Sequence, residues 1–177
     1  MPLSSPSPSH PSRLPALALS FLGLLMAADS ADAAKPAAPA PLQGAVTQVI
    51  DGDTVRFSVP GQAAIDVRLA SIDAPELCQP WGPEARKALI DLALNKPATL
   101  RTTGRDGPRT VGVLTVEGLN ISQRLVEEGH AWSVRGRNGR GPFMKQERMA
   151  QSLTRGLHAG GGAVYPADFR RDRGPCR

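Results

Sequence analysis

Val46-Thr47-Gln48-Val49-Ile50-Asp51-Gly52-Asp53-Thr54-Val55-Arg56-Phe57-Ser58-Val59-Pro60-Gly61-Gln62-Ala63-Ala64-Ile65-Asp66-Val67-Arg68-Leu69-Ala70 sets the architecture of this chain. Val46, Val49 and Ile50 are strand formers, and Asp51-Gly52-Asp53-Thr54 is turn chemistry. Val55, Phe57 and Val59 then alternate with Thr54, Arg56 and Ser58, a period of two that gives a strand one apolar face. Pro60-Gly61 supplies the next turn, with Pro at the first central position and Gly where positive φ is needed. Ile65, Val67 and Leu69 alternate again and leave Asp66, Arg68 and Ala70 on the opposite face. Three strands in an up-down-up meander follow.

Beyond residue 80 the period changes. Pro83 suits the first turn of a helix, and Ala85, Ala88, Leu89, Leu92 and Ala93 form an amphipathic stripe. Two more strands are predicted at Ala98–Thr103 and Thr110–Val116. Asn120 caps a short helix through Val126 that stops at Gly129. A last helix is predicted over Phe143–Leu157, with Met149, Ala150, Leu153 and Leu157 inward. Five short strands and a few helices make an α+β domain, most simply a closed five-stranded barrel.

Upstream, residues 1–33 read as a signal peptide. Leu14–Ala28 is apolar and uncharged, shorter than the roughly 20 residues of a membrane helix, and Ala31-Asp32-Ala33 offers a small-residue cleavage site. Residues 34–42 read as a Pro/Ala linker, 43–160 as the folded domain and 161–177 as a polar tail. The mature chain is thus expected to be exported, periplasmic or secreted, monomeric and free of the membrane. The full 177-residue chain carries a net charge of +5, which favours acidic partners such as nucleic acid and equally serves general solubility. Two Cys and three His exclude a close-spaced zinc set and a disulfide-dense scaffold. Export favours oxidation and Cys78–Cys176 is the one pair available, so these residues are expected to bond; two free thiols or an intermolecular bridge are the alternatives.

The meander also locates chemistry. Strands one and three run the same way, so Asp53, opening strand two, sits about 4.8 Å across from the end of strand three and the Asp73–Glu76 segment beyond it. Asp53, Asp73 and Glu76 therefore converge. Crowded carboxylates repel unless neutralised, and oxygen-only ligands suit a hard ion such as Ca²⁺ or Mg²⁺. Arg68 projects from the strand leading to Asp73, and Arg109 opens strand five. Guanidinium forks beside a carboxylate-held cation match a phosphodiester. Taken singly, each piece also has a plain reading: a hairpin turn, a polar exit loop, a surface ion pair, a loop cation.

In combination, Ile50-Asp51-Gly52-Asp53-Thr54-Val55, Val67-Arg68-Leu69-Ala70-Ser71-Ile72-Asp73-Ala74-Pro75-Glu76 and Gln79-Pro80-Trp81-Gly82-Pro83-Glu84-Ala85 resemble the staphylococcal nuclease-like (thermonuclease) family. Arg109-Thr110-Val111-Gly112, Asn120-Ile121-Ser122 and Gly129-His130-Ala131-Trp132 keep the same order. The resemblance covers roughly Gly44 to Leu157. It implies an OB-fold barrel with three helices and Ca²⁺-dependent hydrolysis of DNA and RNA phosphodiesters. By motif it implies Asp53 and Asp73 as side-chain ligands of Ca²⁺, Ala74 as a carbonyl ligand, Glu76 as the residue that activates or orients water, and Arg68 and Arg109 as stabilisers of the pentacovalent phosphate. Where the family commonly has Asp-x-Tyr-Gly-Arg, this chain has Arg105-Asp106-Gly107-Pro108-Arg109, and Pro108 threatens the placement of Arg109. Beyond Trp132, where relatives carry nucleotide-contacting tyrosines, Arg135, Arg137 and Arg140 stand instead and are candidates for binding phosphate. Trp81 is read as a helix-entry residue, and His130 and His158 as structural or solvated. A catalytically inactive OB-fold module that binds nucleic acid, and a secreted interaction domain, are the competing classes; seven aromatics argue against a base-stacking platform.

Overall fold

The computed structural model describes residues 39–136 and 138–176, so the predicted signal peptide and most of the linker lie outside it, as does Arg137. The meander forms as the alternation requires: β1 (Leu42–Val49), β2 (Thr54–Ser58) and β3 (Ile65–Leu69) pair antiparallel, with Val49 opposite Val55 and Thr54 opposite Arg68. The Val59–Gln62 turn closes with a 3.1 Å hydrogen bond and Gly61 takes φ 75°, the conformation for which glycine was expected. β4 (Ile72–Asp73) continues from β3.

α1 (Gly82–Ala93) follows, then β5 (Pro97–Asp106) and β6 (Arg109–Val116) as a long hairpin. β5 pairs with β1, and β6 runs parallel to β3 with Val67 opposite Thr110, so the order β3-β2-β1-β5-β6 closes on itself. This is the five-stranded barrel expected from the sequence. Closure pairs both sheet edges, and the interior is filled by Val46, Phe57, Val67, Leu69, Leu100 and Leu114, all buried. α1 covers one end of the barrel through Ala85, Leu89 and Ala93, which recur every four residues and are fully buried.

β7 (Leu119–Asn120) leads into α2 (Ile121–Glu127), where the Asn120 side chain accepts from the Gln123 N–H at 3.2 Å, the expected cap. Gly129 ends the segment at φ 75° and approaches Arg155 so closely that a side chain there would strike the Arg155 carbonyl. β8 (Trp132–Ser133) pairs with β4, and α3 (Met144–Ser152) follows.

Two features of the C-terminal part differ from the sequence reading. α3 stops at Ser152 rather than Leu157, and Met149 and Leu153 are half exposed while Ala150 and Glu147 are buried. The inward face is rotated because Glu147 is recruited to the β8 backbone: its carboxylate accepts from the Ser133 N–H at 2.9 Å, satisfying a buried donor that no apolar residue could. In addition, the stretch expected to be a tail contains a fourth helix, α4 (Pro166–Arg173), seated through buried Pro166 and Phe169. Tyr165 packs edge-on against Trp132 at 5.8 Å. Among the described residues no helix is long and apolar enough to cross a membrane.

Trp81 enters α1 at φ 73°, and its indole N–H donates to His130 Nδ1 at 3.2 Å. Burial holds the His130 imidazole below its usual pKa, against the opposing pull of Glu128 and Glu84. The native state therefore binds fewer protons here than the unfolded chain. The contribution of His130 is complete above the ordinary imidazole value of about 6.5 and is lost as pH falls through the lower folded value. Denaturant unfolding from about pH 8 to pH 5 should accordingly show a smaller acid-side loss of stability in His130→Gln than in the wild type, and identical pH dependence would refute this assignment.

Candidate active site

The hairpin between β1 and β2 aims Asp53 inward. Asp51 accepts the Asp53 N–H through its side chain at 2.9 Å, and the Leu69 N–H donates to the Asp53 carbonyl at 2.8 Å, locking the start of β2 to the end of β3. The Asp53 carboxylate accepts from Thr54 Oγ1 at 3.1 Å and from the Ala74 N–H at 3.0 Å. Burial pushes its carboxyl up to about 7, opposed by Arg68. Arg68 lies 3.1 Å from Asp53 and 2.8 Å from Asp73, so one guanidinium serves two buried carboxylates. Burial works against the Arg68 charge, yet Asp53 and Asp73 hold it above its ordinary pKa.

Glu76 sits on the loop after β4. Its N–H donates to the Gln79 side chain at 3.2 Å, while Gln79 Nε2 donates to the Val164 carbonyl at 2.6 Å, stitching this loop to the segment that leads into α4. Arg109 occupies the first position of β6. Gly107 takes φ 58° and Pro108 cannot, so the two-residue hairpin accommodates the Gly-Pro pair in the manner of a type II′ turn. Pro108 therefore does not displace Arg109, which reaches the pocket and pairs with Asp106 at 2.6 Å.

Asp51, Asp53, Ala74, Glu76, Arg68 and Arg109 thus line one open pocket of about 460 Å³, with Asp73 buried behind Arg68. Of the residues read from the sequence, Asp53, Glu76, Arg68 and Arg109 line this pocket and Asp73 joins them through Arg68, but Asp53, Asp73 and Glu76 do not converge on one point as expected. Arg135 and Arg140 do not line it: Arg135 reaches the buried Glu147 at 3.4 Å, and Arg140 sits in an exposed turn. The sequence reading missed Arg170, which α4 brings to the same pocket, within 3.0 Å of Asp73 and 2.7 Å of Glu76. Its guanidinium is held above its ordinary pKa by the hydrogen bond to Asp73 and then by Glu76. Its signal was in the chain: Cys176, six residues on, pairs with Cys78, two residues from Glu76. Tyr165, the chain's single tyrosine, packs on Trp132 rather than lining this pocket; burial raises its phenol pKa, with Asp73 adding and Arg135 and Arg170 opposing.

A profile described as "Staphylococcal nuclease homologue" matches residues 66–159. The chain belongs to the staphylococcal nuclease family. It is 34% identical over 127 residues to an uncharacterized endonuclease of Haemophilus influenzae, covering 71% of each chain. It is 34% identical over 145 residues to a micrococcal nuclease of Shigella flexneri, covering 75% of this chain and 82% of that one. A probable staphylococcal-like nuclease of Oryza sativa subsp. japonica is 37% identical over 112 residues, which span 63% of this chain but 30% of the rice protein.

A nuclease of this family is expected to use a divalent cation, and the donor chemistry here suits one. The site offers oxygen ligands alone, and Asp51, Asp53, Asp73, Glu76 and Asp106 outnumber Arg68, Arg109 and Arg170 by two charges when all are ionised. Asp53 is buried with its charge incompletely compensated, as its raised pKa indicates. Among the described residues, however, no three acidic, His or Cys side chains are grouped around one point, because neighbouring carboxylates are bridged by guanidiniums instead.

The structure joins Cys78 to Cys176, 98 positions apart in sequence and with Cα atoms 5.6 Å apart, and this bond fastens the end of α4 to the Glu76 loop. Replacing both cysteines by Ser should lower the unfolding free energy by about 2–5 kcal/mol, read by denaturant titration of the oxidised wild type against the variant. A difference below about 0.5 kcal/mol would show that the bond adds nothing to the packing of α4.

Proposed function

We propose that the protein is an exported, Ca²⁺-dependent nuclease that hydrolyses phosphodiester bonds of DNA and RNA. Family membership implies nucleic acid as the substrate, and one observation carries the reading of the site: two arginines and a partly exposed carboxylate, Arg68, Arg109 and Glu76, face one pocket beside buried acidic groups. In-line attack at phosphorus needs an oriented water and a way to absorb charge on the non-bridging oxygens. Glu76 accepts a hydrogen bond from the water and takes its proton as the water oxygen bonds to phosphorus and the opposite P–O ester bond breaks, the leaving alkoxide taking a proton from solvent. Arg68 and Arg109 present planar forks to the phosphoryl oxygens, and their grip tightens as negative charge builds. Asp53, Asp73 and the Ala74 carbonyl would hold the cation, which when bound supplies Lewis acidity toward a phosphoryl oxygen. The Ala74 N–H and Arg68 hold the Asp53 and Asp73 carboxylates in fixed orientations, so their oxygens would be aimed at a hard cation once Arg170 withdraws from Asp73.

Export is supported by the apolar Leu14–Ala28 segment followed by Ala31-Asp32-Ala33, and by a disulfide suited to an oxidising compartment. Arg135, Arg137 and Arg140 are proposed to extend phosphate binding beyond the pocket.

With single-stranded DNA or RNA and Ca²⁺, the wild type should cleave, chelator should abolish cleavage, and Glu76→Gln, Arg68→Ala and Arg109→Ala should each lose about 10² to 10⁴ in rate while remaining folded. Equal activity across these proteins at matched purity would sink the mechanism. In a cleavage-dead Glu76→Gln background, changing Arg135, Arg137 and Arg140 together to Gln should flatten the salt dependence of single-strand affinity by about 0.7 in log–log slope per phosphate contact removed. An unchanged slope would leave those arginines without a role in binding.

A further inference from the structure

Arg170 stands out because its setting is that of a bound cation rather than of a surface ion pair. Nη1 is 3.2 Å from one Asp73 oxygen and 2.7 Å from Glu76 Oε1, and Nη2 is 3.0 Å from the other Asp73 oxygen. One positive group thus bridges two carboxylates and covers both oxygens of a side chain that is 5% exposed. The Asp73 oxygen shared with Arg68 carries two donors and has no lone pair left. A divalent ion on the remaining Asp73 position would lie against the Arg170 guanidinium, and that repulsion is poorly screened in a buried base.

The helix that delivers Arg170 is firmly held. Phe169 and Pro166 are buried, Tyr165 packs on Trp132, Gln79 binds the Val164 carbonyl, and the Cys78–Cys176 bond closes the far end. Arg170 is therefore presented to the carboxylates by construction, not by the chance of a long side chain. Arginine is also the residue suited to the task, since its fork spans a carboxylate bidentately and keeps its charge.

We propose that Arg170 sets the divalent-cation affinity of the site by competing with the ion for Asp73 and Glu76, and that the disulfide holds it in that competition. The inference rests on reading this pocket as a divalent-cation site. It makes Arg170 a protein-borne counter-ion: it offsets part of the acidic charge when cation is scarce, and a higher cation concentration is needed to occupy the site.

The test is calorimetric titration of the purified, oxidised protein with CaCl₂ in the absence of nucleic acid. Arg170→Gln, which frees Glu76 and one oxygen of Asp73, should bind Ca²⁺ about tenfold or more tightly than the wild type, the scale of a charge-assisted hydrogen-bond network. Arg170→Lys, which keeps the charge and loses the fork, should fall between them, and Asp73→Asn should bind more weakly than the wild type. Should Arg170→Gln fail to fold, wild type with its disulfide reduced carries the test, and tighter binding than in the oxidised form is expected. Unchanged or weaker affinity on removing Arg170 or the disulfide, or no heat of binding in any of the proteins, overturns the proposal. Single-strand cleavage by the wild type, run alongside at saturating Ca²⁺, reports separately on the nuclease reading, since a protein that binds Ca²⁺ as described and does not cleave would refute that reading alone.

Discussion

The site is held together by an unbroken chain of alternating charge: Asp53, Arg68, Asp73, Arg170, Glu76, each within 3.2 Å of the next. The two aspartates are almost fully buried, and a buried charge without a partner costs several kcal/mol, so the geometry around them is tightly constrained. Asp53 comes from the β1–β2 hairpin, Arg68 from β3, Asp73 from β4, Glu76 from the following loop and Arg170 from α4. A chain of ion pairs therefore fixes the relative positions of five pieces of backbone at one end of the barrel. The barrel interior, filled with apolar side chains, supplies rigidity beneath them.

That division of labour explains what could be read from the sequence. The meander, the barrel and the helix over it follow from local patterns of period two and period 3.6, which apolar burial enforces. Asp53 and Asp73 were placed together by strand direction alone, and Arg68 by its position on the strand that leads to Asp73, where the structure sets it opposite Thr54. α3 was misread because Glu147 spends a buried position on a backbone N–H, a demand set by β8 and invisible in the periodicity of the helix itself. α4 was missed because it has little apolar surface to reveal it. Its sequence, Pro166-Ala167-Asp168-Phe169-Arg170-Arg171-Asp172-Arg173, is mostly charged, and it is kept in place by buried Pro166 and Phe169, the Tyr165–Trp132 contact and a covalent bond to a residue far away in sequence.

Arg109 illustrates a third situation, in which a departure from a family pattern is absorbed locally. With the Gly-Pro pair in the turn, Asp106 faces Arg109 across the hairpin, and the guanidinium reaches the pocket. The constraint lies in the two-residue loop length and in a residue able to take positive φ, and Gly107 meets it without a tyrosine.

Because Arg68 and Arg170 share Asp73, the charges of this pocket are not independent units. Losing either arginine leaves Asp73 one partner, whereas losing both strands a buried anion, so the two losses compound instead of adding. The same holds outward along the chain to Asp53 and Glu76. Sequence drift in this pocket is thus steered toward compensated pairs, with an acidic and a basic position changing together, and lone substitutions are penalised even where the side chain in question never touches a substrate.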